Sequence, residues 1–166
     1  MFGIICILIS FLCIGGHVGI RKIRQRPPGK SEVVDICLLY AMIFWVGMIG
    51  VVFGFIPHVF FADATAERIG WVTGSPFQFE VGVHDGAWGI LGFLCIWFKG
   101  GFRAATGLGW GLFMLGAAGG HVYHSVVHGN FAEYNYLMIF VDGFIAFALF
   151  LLIYLDWKWN RFSLKR

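Results

Sequence analysis

Carboxylates and histidines gather in a chain that is otherwise apolar, and their spacing follows helical faces. Glu80 and His84 are four residues apart with Asp85 alongside, and His121, His124 and His128 fall at i, i+3 and i+7, within roughly 60° of arc on a helix. His58 and Asp142 add one imidazole and one carboxylate from other segments. Imidazole nitrogens with carboxylates suit Zn, Cu, Fe or Ni, and ligands three or four residues apart on one helix can share an ion. The spacing predicts a metal site with His84, His121 and His124 as ligands and with Glu80 and Asp142 as ligands or their hydrogen-bonded supports. His58, His128 and Asp85 are further candidates. Haem is an equal alternative, with two histidines from different helices as axial ligands and glycines making room for the macrocycle. No metalloprotease, desaturase or copper-oxidase motif is complete, so no reaction is assigned.

Plainer roles stand beside these. His121 and Glu80 could satisfy each other's helices by hydrogen bonding alone. Glu133 reads as a helix-capping residue, His128 as a solvated interfacial group, and His17 as an interfacial histidine remote from the cluster. Asp142, between Val141 and Gly143 in an apolar helix, is harder to dismiss, because a carboxylate inside hydrocarbon needs a partner or a proton. Cys6, Cys13, Cys37 and Cys95 form no close pair and read as small apolar fillers.

The elements that must hold these groups are membrane spans. Of the 166 residues, 59% are hydrophobic and 13% charged, and the mean hydropathy is +0.80, leaving no room for a separate soluble domain. Five apolar stretches, Phe2–Ile20, Ile36–Ile56, Phe79–Phe98, Ala104–Val127 and Tyr136–Tyr154, each approach the ~20 residues a helix needs to cross a bilayer. Eleven of the twelve Lys and Arg residues then lie on one side, in the first and third loops and at the C-terminus, with Arg68 the exception. Basic loops stay cytoplasmic, so an all-α bundle of five transmembrane helices is expected, with its N-terminus outside and its C-terminus inside. Met1-Phe2-Gly3 lacks a basic leader region, so the first stretch is read as a retained anchor. The net charge of +3 reports topology and offers no nucleic-acid footprint. With that topology the polar residues converge on the outer third of the membrane.

The joins carry local signals. Ser75-Pro76-Phe77-Gln78 has the form of a capping box opening the third span, and Asn130-Phe131-Ala132-Glu133 repeats it less strictly for the fifth. The outer loop from Pro57 to Phe79, with Phe60, Phe61, Trp71 and Phe77, predicts a short amphipathic segment along the interface. Gly82, Gly86 and Gly89 make a small face on the third span, and Gly116 and Gly120 a G-x-x-x-G pair on the fourth. These predict that spans three and four pack together through their glycines, while Gly100 is read as a tolerant loop position.

The runs Glu67–Trp71, Ser75–Gly82 and Gly89–Gly92, then Gly120-His121 and Asn130–Glu133 with Met138 and Asp142, resemble a family of small bacterial integral membrane proteins known only as a domain of unknown function. The resemblance covers about residues 64 to 150 and implies the fold and the polar positions Glu80, His121, Glu133 and Asp142, but no activity. The expectation is therefore a multi-pass inner-membrane protein that binds a metal or haem in a redox-linked or metal-handling role. Its partners are the lipid bilayer and other membrane subunits or further copies of itself, with no nucleic acid. The alternative is an accessory subunit of a larger membrane complex, in which the cluster only joins helices. A proton or ion transporter ranks third, because paired inverted repeats and a broken helix are missing.

Overall fold

The computed structural model describes residues 2–160, and side chains through residue 159. The basic residues Arg161, Lys165 and Arg166 lie outside the described residues. The chain is all-helical: α1 (Phe2–Ile23), α2 (Lys30–Ala41), a π-helical segment (Met42–Phe55), α3 (Ile56–Phe60), α4 (Ala62–Ile69), α5 (Phe77–Leu94), α6 (Gly101–His128) and α7 (Glu133–Asn160). Three helices, Phe2–Ile23, Lys30–Phe60 and Glu133–Trp159, are long and apolar enough to cross a membrane. α5 and α6 reach comparable lengths but carry the glycines and polar residues, which dilute their apolar character.

α2, the π segment and α3 form one continuous rod. The π segment winds with wider turns than an α-helix and carries Gly47, Gly50 and Gly54 on its buried side. Those glycines meet the buried glycine face of α5. A Cβ at Gly50 would lie 2.6 Å from the Asp85 carbonyl and 2.8 Å from Gly89 Cα, and one at Gly92 would lie 2.6 Å from the Gly47 nitrogen. Backbone therefore packs directly on backbone.

This corrects the predicted pairing of spans three and four. The glycines of α5 face the second rod, with Gly86 against Phe55, whereas Gly116 and Gly120 of α6 have open space where a side chain would go. α5 and α6 touch more sparingly, for example where Trp88 covers Gly109. α6 packs instead along α7, burying Trp110, Met114, Ile145, Leu149 and Ile153 with Met42, Trp45 and Val46 of the rod. Gly100 is also corrected: it sits at φ 59°, ψ −127°, a left-handed conformation in which a leucine is strained.

Polar side chains lock the layers where apolar contact gives little preference between neighbours. Trp45 Nε1 donates to Ser10 Oγ at 2.8 Å, and Trp110 Nε1 donates to the Trp45 carbonyl at 2.9 Å, joining α1, the rod and α6. At the opposite end Arg103 is 3% exposed, bonded to Asp35 Oδ1 at 2.8 Å and to the Cys95 carbonyl at 2.9 Å. Arg103, counted from the sequence among the basic residues of the third loop, is thus a buried clamp between helices.

Candidate functional site

Asn135 is the residue from which the site is built. It is fully buried near the start of α7, and its Nδ2 faces three acceptors: Ser125 Oγ at 2.9 Å, the Asn130 carbonyl at 3.2 Å and the His121 carbonyl at 3.3 Å. That set orients the amide, because only the nitrogen can donate. Its Oδ1 then faces His121 Nδ1 at 2.8 Å, so Nδ1 carries the proton. In the neutral ring Nε2 is left as an acceptor, and it lies 3.7 Å from Asp142 Oδ2, just beyond direct hydrogen-bond length.

The aromatic cover over His121 is held just as locally. α4 ends at Gly70 with φ 75°, and the Trp71 N–H returns to the Ala66 carbonyl at 2.8 Å, the closing bond of a left-handed helix cap. Asn130 Nδ2 donates to the Ile69 carbonyl at 2.8 Å and Asn130 Oδ1 accepts from the Ala132 N–H at 3.1 Å, so one side chain ties the end of α4 to the start of α7. Asn130 thus makes a turn with Ala132 in place of the capping box expected of it, since α7 begins only at Glu133, and α4 is the expected amphipathic segment, with Ala66 and Ile69 turned inward. Trp71 is left stacked on His121, ring centroids 5.8 Å apart and planes 16° apart, and tilted on His124 at 5.8 Å. Its Nε1 is buried without a protein partner.

Beneath Trp71 lies a cavity of about 130 Å³ whose polar lining comprises Asp142 and Tyr134 from α7, His121 from α6, Asp85 from α5 and His58 from α3. Asp85 fits there only because Gly54 has no side chain: a Cβ at Gly54 would collide with the Asp85 carboxylate. His58 Nδ1 pairs with Gln78 Oε1. Gln78 is buried and thus spends its side chain on His58, in place of the reciprocal cap bond expected of it, although Ser75 Oγ does accept from the Phe77 N–H at 3.3 Å.

The predicted ligands do not converge. Glu80 is exposed, because the inward face of α5 runs through Gln78, Gly82, Asp85, Gly86 and Gly89 and Glu80 falls about 200° from Gln78. His84 is tied up: Trp88 Nε1 donates to its Nε2 at 2.9 Å, and its Nδ1 meets Asp85 Oδ1 at 3.2 Å. His124 and His128 line a separate groove with Trp71 and Gln78, to which neither His121 nor Asp142 contributes. Among the described residues no group of three or more His, Cys, Asp or Glu side chains is placed to hold a metal ion. His121 and Asp142 do come together, and His58 and Asp85 join them around the cavity. Asn135, Gln78 and Tyr134 escape sequence reasoning because amides and phenols in apolar helices read as caps and interfacial groups. Asn135 carried one usable signal, a lone amide seven residues before Asp142, two helical turns along the same face.

The described residues define an all-helical protein with three helices long and apolar enough to cross a membrane and a polar cavity between its helices. The chain is a member of DUF6790, a family of unknown function whose model matches residues 1–161. No curated protein and no solved structure gives a match.

Proposed function

We propose that this is a five-span protein of the cytoplasmic membrane, N-terminus outside, whose working part is a proton-exchanging chamber in the outer leaflet. The observation that carries the reading is the approach of His121 Nε2 to Asp142 Oδ2 at 3.7 Å on the wall of a cavity of about 130 Å³. A charge left uncompensated at that depth is costly. The pair is neutral overall only when one proton resides between Nε2 and Oδ2, on either the acid or the imidazole. A cavity of this size admits a few waters and is far below the ~300 Å³ at which pockets for drug-sized ligands begin. Small occupants suit it better than a haem macrocycle. A water bridging Nε2 and Oδ2 would close the 3.7 Å gap, and Asn135 holds the ring in the tautomer that receives the proton. His58 and Tyr134 also line a second groove reaching Arg68 and Phe61, and so stand between the chamber and the outside.

Infrared difference spectra of the purified chain, taken across a pH titration, test the reading. The expected result is a carboxyl band that is lost in Asp142→Asn and shifted in His121→Gln, with proton uptake reduced by about one per chain. Spectra and uptake unchanged by both substitutions would leave the cluster as a helix-joining device in an accessory subunit. A second reading keeps a bare transition-metal ion, supported by Asn135 fixing the His121 tautomer as ligating histidines require, and it needs the side chains around the cavity to draw together on binding, since no three of them are placed to hold an ion. It expects about one metal per chain from elemental analysis of protein isolated without chelators, most of it lost in His121→Ala.

A further inference from the structure

At the opposite end of the bundle a groove of about 810 Å³ opens between α1 and α2, and we propose that it is a binding site for an anionic phospholipid. Its wall on α1 is one helical face that changes chemistry along its length. Cys13, Gly16 and Ile20 form the apolar part, and Arg21 and Arg24 follow at the same helical spacing, joined by Arg26 from the loop. From Cys13 to Arg24 this face rises about 16 Å, close to the depth of one hydrocarbon leaflet. The polarity gradient is therefore that of a phospholipid lying along the helix, acyl chain against Gly16 and phosphate at the arginines. A side chain at Gly16 would meet nothing within 4 Å, so the apolar part is open.

The basic end is shaped by an unusual helix ending. The Gln25 N–H returns to the Lys22 carbonyl and the Arg26 N–H to the Arg21 carbonyl, both at 2.9 Å, with Gln25 at φ 54°. This left-handed closure, normally a glycine position, folds the loop back so that the Arg26 carbonyl accepts from Arg21 Nε at 3.2 Å. Glu32 binds Arg21 at 3.0 Å and offsets one of the three charges. Arg24 and Arg26 are exposed and aligned with the groove. Midway, Tyr40 Oη lies 3.3 Å from His17 Nδ1, setting a polar pair at the level where a glycerol ester would sit. Basic pockets between membrane helices are established receptors for acidic headgroups.

The full chain, reconstituted in vesicles of equimolar phosphatidylglycerol and phosphatidylcholine and then extracted in mild detergent, is analysed for retained lipid by mass spectrometry. Wild type is expected to retain phosphatidylglycerol preferentially. The double variant Arg24→Gln/Arg26→Gln should lose about thirtyfold of that preference, and Arg24→Lys/Arg26→Lys should stay within about threefold of wild type. Lys22→Gln/Lys30→Gln removes the same charge outside the groove and should leave the preference unchanged, whereas Gly16→Leu should lower retention by filling the apolar part. Equal retention of both lipids by wild type would overturn the site. An equal loss in the two glutamine pairs would reduce it to diffuse surface charge. Displacement of phosphatidylglycerol by inorganic phosphate would reassign the groove to a free anion.

Discussion

His121 shows how one buried side chain is specified from both ends. Asn135 holds Nδ1 at 2.8 Å, Asp142 stands off Nε2 at 3.7 Å, and Trp71 covers the ring face. The amide is the keystone, because its nitrogen faces Ser125 and two carbonyls, and an apolar replacement strands several of these groups at once. Asn135→Leu is therefore expected to cost about 1–3 kcal/mol, read as a fall in the denaturant midpoint of the detergent-solubilised protein. Asn135→Asp keeps an acceptor for Nδ1 but removes the donor, and belongs between the two. Wild-type stability in Asn135→Leu would mean that His121 finds its partners elsewhere. In sequence the histidines stand out and the asparagine does not. Imidazole and carboxylate in an apolar run advertise their cost, whereas an amide at a helix start passes for a turn residue.

At the scale of elements the decisive contact is α5 on the π-helical segment. Gly89 has Val51 N at 2.7 Å and the Gly47 carbonyl at 3.0 Å from where its Cβ would be, whereas Gly120 has nothing within 4 Å. Backbone atoms cannot step aside as a flexible side-chain end can, so Gly89→Leu is expected to cost about 3 kcal/mol or more and to prevent assembly. Gly120→Leu should stay within about 0.5 kcal/mol. Expression and monodispersity in detergent compare the two, and equal tolerance would remove the claim of backbone packing. The periodicity of Gly82, Gly86 and Gly89 announces a small face on α5, but small faces are self-complementary with any other small face. Gly47, Gly50 and Gly54 compete with Gly116 and Gly120 for the same partner. Only the three-dimensional arrangement decides between them, and the wide turns of the π segment help to set that choice.

For the whole molecule the open quantity is the path through the bilayer. The five crossings proposed above would put the Pro57–Phe79 loop outside and the turn between α5 and α6 inside. Thr73→Cys should react with a membrane-impermeant thiol reagent on intact cells, and Lys99→Cys should react only after permeabilisation. The reverse pattern would invert the membrane sidedness of both the chamber and the basic groove. The assay is run with Cys13 and Cys37 replaced by Ser, since both are half-buried and Cys13 lines the basic groove, whereas Cys6 and Cys95 are buried.

The sequence by itself determined the all-helical character of the chain, because that follows from local quantities. Length and hydropathy make three of the helices suited to a bilayer, and turn chemistry at Ser75 and Asn130 lies just ahead of α5 and α7. It also marked the costly groups, His58, Asp85, His121 and Asp142, since an ionisable side chain in apolar surroundings is conspicuous without any knowledge of its neighbours. Only the tertiary structure decided which of those groups share a cavity. Glu80 and Asp85 are five residues apart in sequence, and the rotation of α5 sends one to the surface and the other against Gly54 and the chamber. That rotation is set by where the α5 glycines find backbone to pack on, a contact between segments some 35 to 45 residues apart, and no local pattern encodes it.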